Sequence, residues 1–182
     1  MTNMFEKALE TVKEMYNLRG WKIIQEEQRT ILAQIPNDDN DCIYAIAKFI
    51  ETTQDIKIPP LSLIIDFTAT EYKCVTIICN GSITTNVKKI EQTTSGKVEI
   101  FHNNDLQMNI TTYHLQPKFY KLPLEEAKDF KNKYMKKINT KIVKNFPFMT
   151  RSDPIARFFR YHAGDIIRVT THDDDVSYRI VK

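Results

Sequence analysis

FPFMTRSDPIARFFRYHAGDIIRVTTHDDDVSYRIVK, residues 146–182, is the stretch from which the fold of the second half of the chain can be read. Asp153 has the side chain of a helix N-cap, and Pro154 follows at the first helical position, where its missing N–H goes unneeded. Gly164 permits the turn into the β-branched run IIRVT. The closing residues VSYRIV have the same strand content, and Asp173, Asp174 and Asp175 between the two runs read as a charged turn. That acidic run lacks the glycine and the terminal glutamate of an EF-hand loop. A short helix and two strands, near 165–170 and 176–181, are therefore expected.

Upstream of this stretch the sequence predicts a helix from Pro123 to about Tyr134, preceded by an extended segment over 110–121. The polar, turn-like HNNDLQMN around residues 103–109 coincides with a change in charge balance. Residues 1–108 carry 11 Lys and Arg against 15 Asp and Glu, a net −4, whereas residues 109–182 carry 15 against 8, a net +7. Two domains, 1–108 and 109–182, are expected, and an anionic partner should favour the second.

In the first half, Phe5, Ala8, Leu9, Val12, Met15, Tyr16 and Leu18 recur on one face of a helix. Asn3 and Glu6 stand at capping-box spacing, and Gly20 is its stop. A second helix is predicted over Gln25–Gln34, ended by Pro36 and NDDND. CIYAIAKFI at 42–50, VTIIC before Asn80-Gly81, and VEIF at 98–101 read as strands, with a short helix over Thr85–Thr94. The segment from Pro59 and Pro60 to about Glu71 fits helix or strand equally by its own pattern.

Composition narrows the classes of function. The longest apolar runs, LSLIIDF and CVTIIC, are far shorter than the roughly 18 residues a membrane span needs, so no membrane partner is expected. The N-terminus lacks the pattern of a secretory signal, and Cys42, Cys74 and Cys79 show no CxxC spacing, so buried thiols in a reducing compartment are expected. His102, His114, His162 and His172 have no zinc-ligand spacing, and no glycine-rich phosphate loop or nucleophile motif is present. No cofactor, metal or small-molecule substrate is predicted.

The ordered set Pro147, Met149, Asp153-Pro154-Ile155-Ala156-Arg157, Gly164-Asp165, Ile167, Arg168 and Ser177-Tyr178-Arg179-Ile180-Val181 closely resembles one family. It is the C-terminal domain of the fifth shared subunit of eukaryotic RNA polymerases, which the archaeal counterpart of that subunit also has. Asn109-Ile110-Thr111, Leu115, Pro117 and Glu125-Glu126 look like the entry to the same domain. Arg19-Gly20-Trp21, Gln25, Glu26 and VTIICNG are similar to the eukaryotic subunit's N-terminal jaw domain, which the archaeal counterpart lacks.

The resemblance implies an α/β N-terminal jaw domain plus a small α+β C-terminal assembly domain. It implies a non-catalytic subunit of a multisubunit DNA-dependent RNA polymerase. The C-terminal domain would dock on the largest subunit, and the jaw would lie beside downstream double-stranded DNA. Pro154, Ile155, Arg157, Phe158 and Phe159 are then the candidates for the largest-subunit interface, and Lys88 and Lys89 for backbone contacts to DNA. The expected setting is the nucleus for a cellular polymerase, or the virion and host cytoplasm for a large DNA virus.

Two alternatives come from other classes. Asp66, Glu71 and Lys73 have the residue types of a Mg²⁺-dependent nuclease, although Glu71-Tyr72-Lys73 precedes its strand when it should lie within it. A free-standing basic DNA-binding module, binding DNA tightly and in a salt-sensitive way, is the other; Lys128, Lys131, Lys133, Lys136, Lys137, Lys141 and Lys144 offer at most a weak phosphate-facing patch. Those lysines are too frequent for one helical face and have only Tyr134 as a stacking ring, which is the pattern of a solvated surface.

Overall fold

A computed structural model describes residues 2–36, 43–50, 72–81, 83, 85–94, 96–134 and 146–182. The chain divides into two units, Met1–Asn109 and Ile110–Lys182, each with its own sheet. Both combine helices with strands, so the fold is mixed α/β with two sheets.

The first unit runs α1 (Thr2–Leu18), β1 (Lys22–Glu27), β2 (Thr30–Ile35), β3 (Ile43–Ile50), β4 (Cys74–Cys79), α2 (Thr85–Thr93) and β5 (Val98–His102). A 3-10 turn at Asn103–Leu106 follows. The strands lie in chain order, with β1, β2 and β3 antiparallel and β3, β4 and β5 parallel. Ladder partners share a face, so Ala33, Ala45 and Cys74 stand on one side, with Ile31, Ala47, Thr76 and Glu99 beside them. This is the side of α1, where Phe5 meets Phe49 edge-on at 4.7 Å and the Tyr16 hydroxyl donates to Thr76 Oγ1 at 2.9 Å. Ile46, Val75, Ile77, Cys79, Val98 and Ile100 form the core on the opposite side, with Ile90 of α2 against it. Every residue of β4 is buried, as expected of a central strand covered on both faces. Cys74 and Cys79 are buried free thiols on opposite faces, and burial pushes Cys79 up to about 11.

α1 buries Ala8, Val12, Met15 and Tyr16 of its expected apolar face, while Leu18 is exposed. The helix begins at Thr2, so Asn3 lies inside it and not at its cap. Gly20, at φ +76°, ends it: its N–H reaches Asn17 O, and the Trp21 N–H reaches Tyr16 O, each at 2.9 Å.

The second helix expected over Gln25–Gln34 is instead the β1–β2 hairpin. Gln25, Glu26 and Glu27 favour helix by intrinsic propensity, but the pairing of Thr30–Ile35 with β3 overrides it. β1 is the sheet edge and almost wholly exposed, so it shows no apolar alternation, and its register shifts between Ile23 and Gln25. The expected strands at 42–50, VTIIC and VEIF and the helix near 85–94 are present. Residues 51–71 lie outside the described residues, and with them the segment that fits helix or strand equally.

The second unit opens with a 3-10 turn at Ile110–Thr112 and continues through β6 (Lys118–Lys121), α3 (Leu124–Tyr134), β7 (Phe148–Met149), α4 (Pro154–Phe158), β8 (Ile166–Thr170) and β9 (Val176–Val181). Only the last four residues of the expected extended segment form a strand. The sheet order is β6-β8-β9-β7, with β7 and β9 parallel and the other pairs antiparallel. One face carries Phe119, Ile167, Val169, Val181 and Met149, packed with Ile155, Ala156, Tyr161 and Ile110. On the other face Phe130 of α3 meets Tyr178 at 4.6 Å, and the Arg168 guanidinium lies 4.8 Å from the Tyr120 ring. Asp173, Asp174 and Asp175 form the β8–β9 turn, closed by the Thr171 N–H on Asp175 O at 3.0 Å.

Candidate assembly surface

The Asp153 carboxylate accepts from the Ile155 N–H at 2.9 Å, and Pro154 occupies the first turn of α4. Five residues are too few for a helix to persist by propensity, so tertiary packing holds α4 in place. Its inward side chains, Ile155, Ala156 and Phe158, press into the unit's own core.

The candidate interface residues therefore separate into two sets. Ile155 is 5% exposed and Phe158 3%, so both fix α4 to the sheet and present almost nothing to a partner. Pro154 is exposed, and Arg157 and Phe159 are half-buried, so these three supply the outward surface. Phe159 stacks on Tyr161 with ring centroids 5.4 Å apart and planes inclined by 12°.

The helix ends in an unusual way. The Tyr161 N–H reaches back to Ala156 O at 2.8 Å and the Arg160 N–H to Arg157 O at 3.1 Å, the bonding of a Schellman cap. Such a cap needs a left-handed residue, normally glycine, yet the residue here is Arg160 at φ +56°. A side chain in that conformation costs roughly 1–2 kcal/mol relative to glycine. Nothing in the sequence marks this position, because an arginine gives no signal of positive φ.

Beyond the cap, Asp165 organises the turn. Its Oδ2 accepts the His162 N–H at 2.7 Å and pairs with the Lys121 ammonium at 2.9 Å. The Lys131 ammonium donates to Gly164 O at 3.3 Å, and Gly164, at φ +92°, sends its N–H to Val181 O at 2.9 Å. The His162 imidazole is pushed below its ordinary value of 6.5, first by desolvation and then by Arg160; Lys121 and Arg151 add to the effect and Asp165 opposes it. Arg151 is tied to the end of β9 by its N–H on Lys182 O at 2.9 Å.

The remaining candidates are dispersed. Lys89 is exposed on α2, and Lys88 lies on the same helix with its side chain outside the described residues. Asp66 and Glu71 fall outside the described residues, and Lys73 is exposed just before β4. Lys128, Lys131 and Lys133 are exposed on α3. Among the described residues, no three His, Cys, Asp or Glu side chains are grouped to hold a metal ion, and no helix is long and apolar enough to cross a membrane.

Residues 108–181, which contain this surface, match the family model described as RNA polymerase Rpb5, C-terminal domain. Over its whole length the chain is similar to a protein of Invertebrate iridescent virus 6 named "Putative DNA-directed RNA polymerase subunit 454R". The two are 66% identical over 184 residues, covering 98% of this chain and 100% of the viral protein. It is also similar to the DNA-directed RNA polymerases IV and V subunit 5B of Arabidopsis thaliana, 30% identical over 109 residues, or 58% of this chain and 48% of the plant protein. The chain thus belongs to the Rpb5 family of DNA-directed RNA polymerase subunits.

Proposed function

We propose that the chain is a non-catalytic subunit that docks on the largest polymerase subunit through its C-terminal unit and contributes its N-terminal unit to the jaw over downstream DNA. The observation that carries this reading is a coincidence of boundaries. The family match over 108–181 falls on the self-contained sheet unit of Ile110–Lys182, and that unit bears α4 on its surface. Pro154, Arg157 and Phe159 would make the contact, with Ile155 and Phe158 holding the helix that presents them. This assigns residues 109–182 to assembly and residues 1–108 to the jaw.

DNA contact by the jaw would involve the phosphate backbone, through Lys88 and Lys89 on α2, and would be blind to sequence. The net −4 of residues 1–108 argues against a strong grip on DNA there. The match to an iridescent virus protein favours a virus-encoded polymerase working in the virion and host cytoplasm. Removing residues 146–182 should abolish incorporation into the polymerase. Removing residues 1–108 should leave incorporation intact and impair transcription. Assembly retained without the C-terminal segment would contradict the proposal.

A further inference from the structure

The strand registers put Tyr120, Arg168 and Tyr178 in one row across β6, β8 and β9. Lys118, Thr170 and Val176 form the next row, about 7 Å along the strands. Both rows lie on the face of the sheet opposite the core that α4 closes. In the other direction along this face Ile166 and Ile180 are buried, and Phe130 of α3 lies against Tyr178. The rest stays open: Tyr120 is 45% and Val176 53% exposed, Lys118 is exposed, and Arg168 and Thr170 are half-buried. The strands place two cations and no carboxylate on this face. Arg168 stands 4.8 Å from the Tyr120 ring, a contact that engages the flat side of the guanidinium and leaves its N–H edges to other partners. Among the described residues, neither those N–H groups nor the Lys118 ammonium meets an acceptor.

We propose that this open face is a second contact surface, which receives a carboxylate-bearing segment of a polymerase polypeptide with Arg168 as its anchor. The proposal goes beyond the docking reading, because it gives the C-terminal unit a contact on the face opposite α4. The Tyr120 ring holds the arginine fork in place, and a carboxylate matches that fork in two parallel hydrogen bonds. Apolar side chains flanking the carboxylate would lie on Tyr120 and Val176. Beyond Thr170 and Val176 the strands run into the exposed turn of Asp173, Asp174 and Asp175. That turn decides between a polypeptide and a nucleic acid. A continuous run of phosphates crossing the face would be repelled by it, whereas a polypeptide can set a basic side chain there and an acidic one at Arg168.

Photocrosslinking reads the occupant directly. The full chain with benzoylphenylalanine in place of Val176, bound to polymerase purified without this subunit, should crosslink to a polymerase polypeptide at a segment containing Asp or Glu. Arg168→Gln should keep a thermal midpoint close to that of the wild type. Its binding to the same polymerase should weaken about tenfold, with a shallower dependence on salt. Arg168→Lys, which keeps the charge without the fork, should recover part of the binding. A crosslink to nucleic acid, to a segment without carboxylates or to nothing would overturn the proposal, as would unchanged binding by Arg168→Gln. The same crosslinker in place of Phe159 tests docking through α4 separately. A crosslink from position 159 alone would keep the docking reading and sink the second contact; one from position 176 alone would do the reverse.

Discussion

Among the described residues, the first unit has a buried ion pair and the second has its ion pairs at the surface. In the first, Arg19 stands at the end of α1 with its side chain 2% exposed and binds Glu99 of β5, 12% exposed, through contacts of 2.8 and 3.3 Å. Its guanidinium also lies 5.0 Å from the Trp21 ring, and Thr76 Oγ1 donates to Glu99 at 3.3 Å. An ion pair, a hydroxyl and an aromatic face thus sit together under α1. In the second unit the ion pairs lie at the surface: Lys128 with Glu125 on α3, and Lys121 with Asp165 at the turn. Its interior is apolar and aromatic. A buried pair fixes one arrangement of helix on sheet and is costly to break, whereas exposed surface pairs add little to stability.

The largest expected effect of that contrast is at Glu99. Glu99→Ala strips the bidentate partner from a buried arginine and should cost about 3–5 kcal/mol in urea unfolding. A loss below about 1 kcal/mol would mean that the pair behaves as a surface pair and would erase the contrast. Asp153→Ala comes next. It leaves the Ile155 N–H without its cap and should cost about 1 kcal/mol, the usual value for an N-cap. A near-zero cost would show that core packing of Ile155 and Phe158 alone holds α4.

The smallest effect is the pH response of the second unit. The folded state holds His162 below its ordinary 6.5, so the unfolded chain binds the proton more tightly. The stability from this residue is complete above about pH 6.5 and is lost as the pH falls below that value toward the lowered folded one. Melting of His162→Gln between pH 8 and 5 should fall less steeply than melting of the wild type. Parallel curves would mean that neither burial nor the neighbouring cations hold His162 below its ordinary value.

What was legible in the sequence follows the same division between the units. Asp153-Pro154 and Gly164 are local signals whose meaning does not depend on distant residues, and α4 and β8 lie where they indicate. β4 was legible because a strand covered on both faces is apolar throughout. β1 was not, because in an exposed edge strand with the sequence KIIQEE the adjacent Ile23 and Ile24 among polar residues fit neither period, and its partner lies across a turn without glycine. At the candidate surface the sequence identified α4, but no spacing rule tells which of Ile155, Arg157, Phe158 and Phe159 face inward on a five-residue helix. Arg160 and Asp165 owe their roles to backbone conformation and to pairing with distant Lys121, neither of which is written locally.

The central claim is membership in an assembled polymerase, and isolation from the native source under mild salt tests it most directly. The account predicts that the protein co-elutes with the large polymerase subunits as one complex. Its recovery as a free monomer, with no large polymerase chain alongside, would contradict the account.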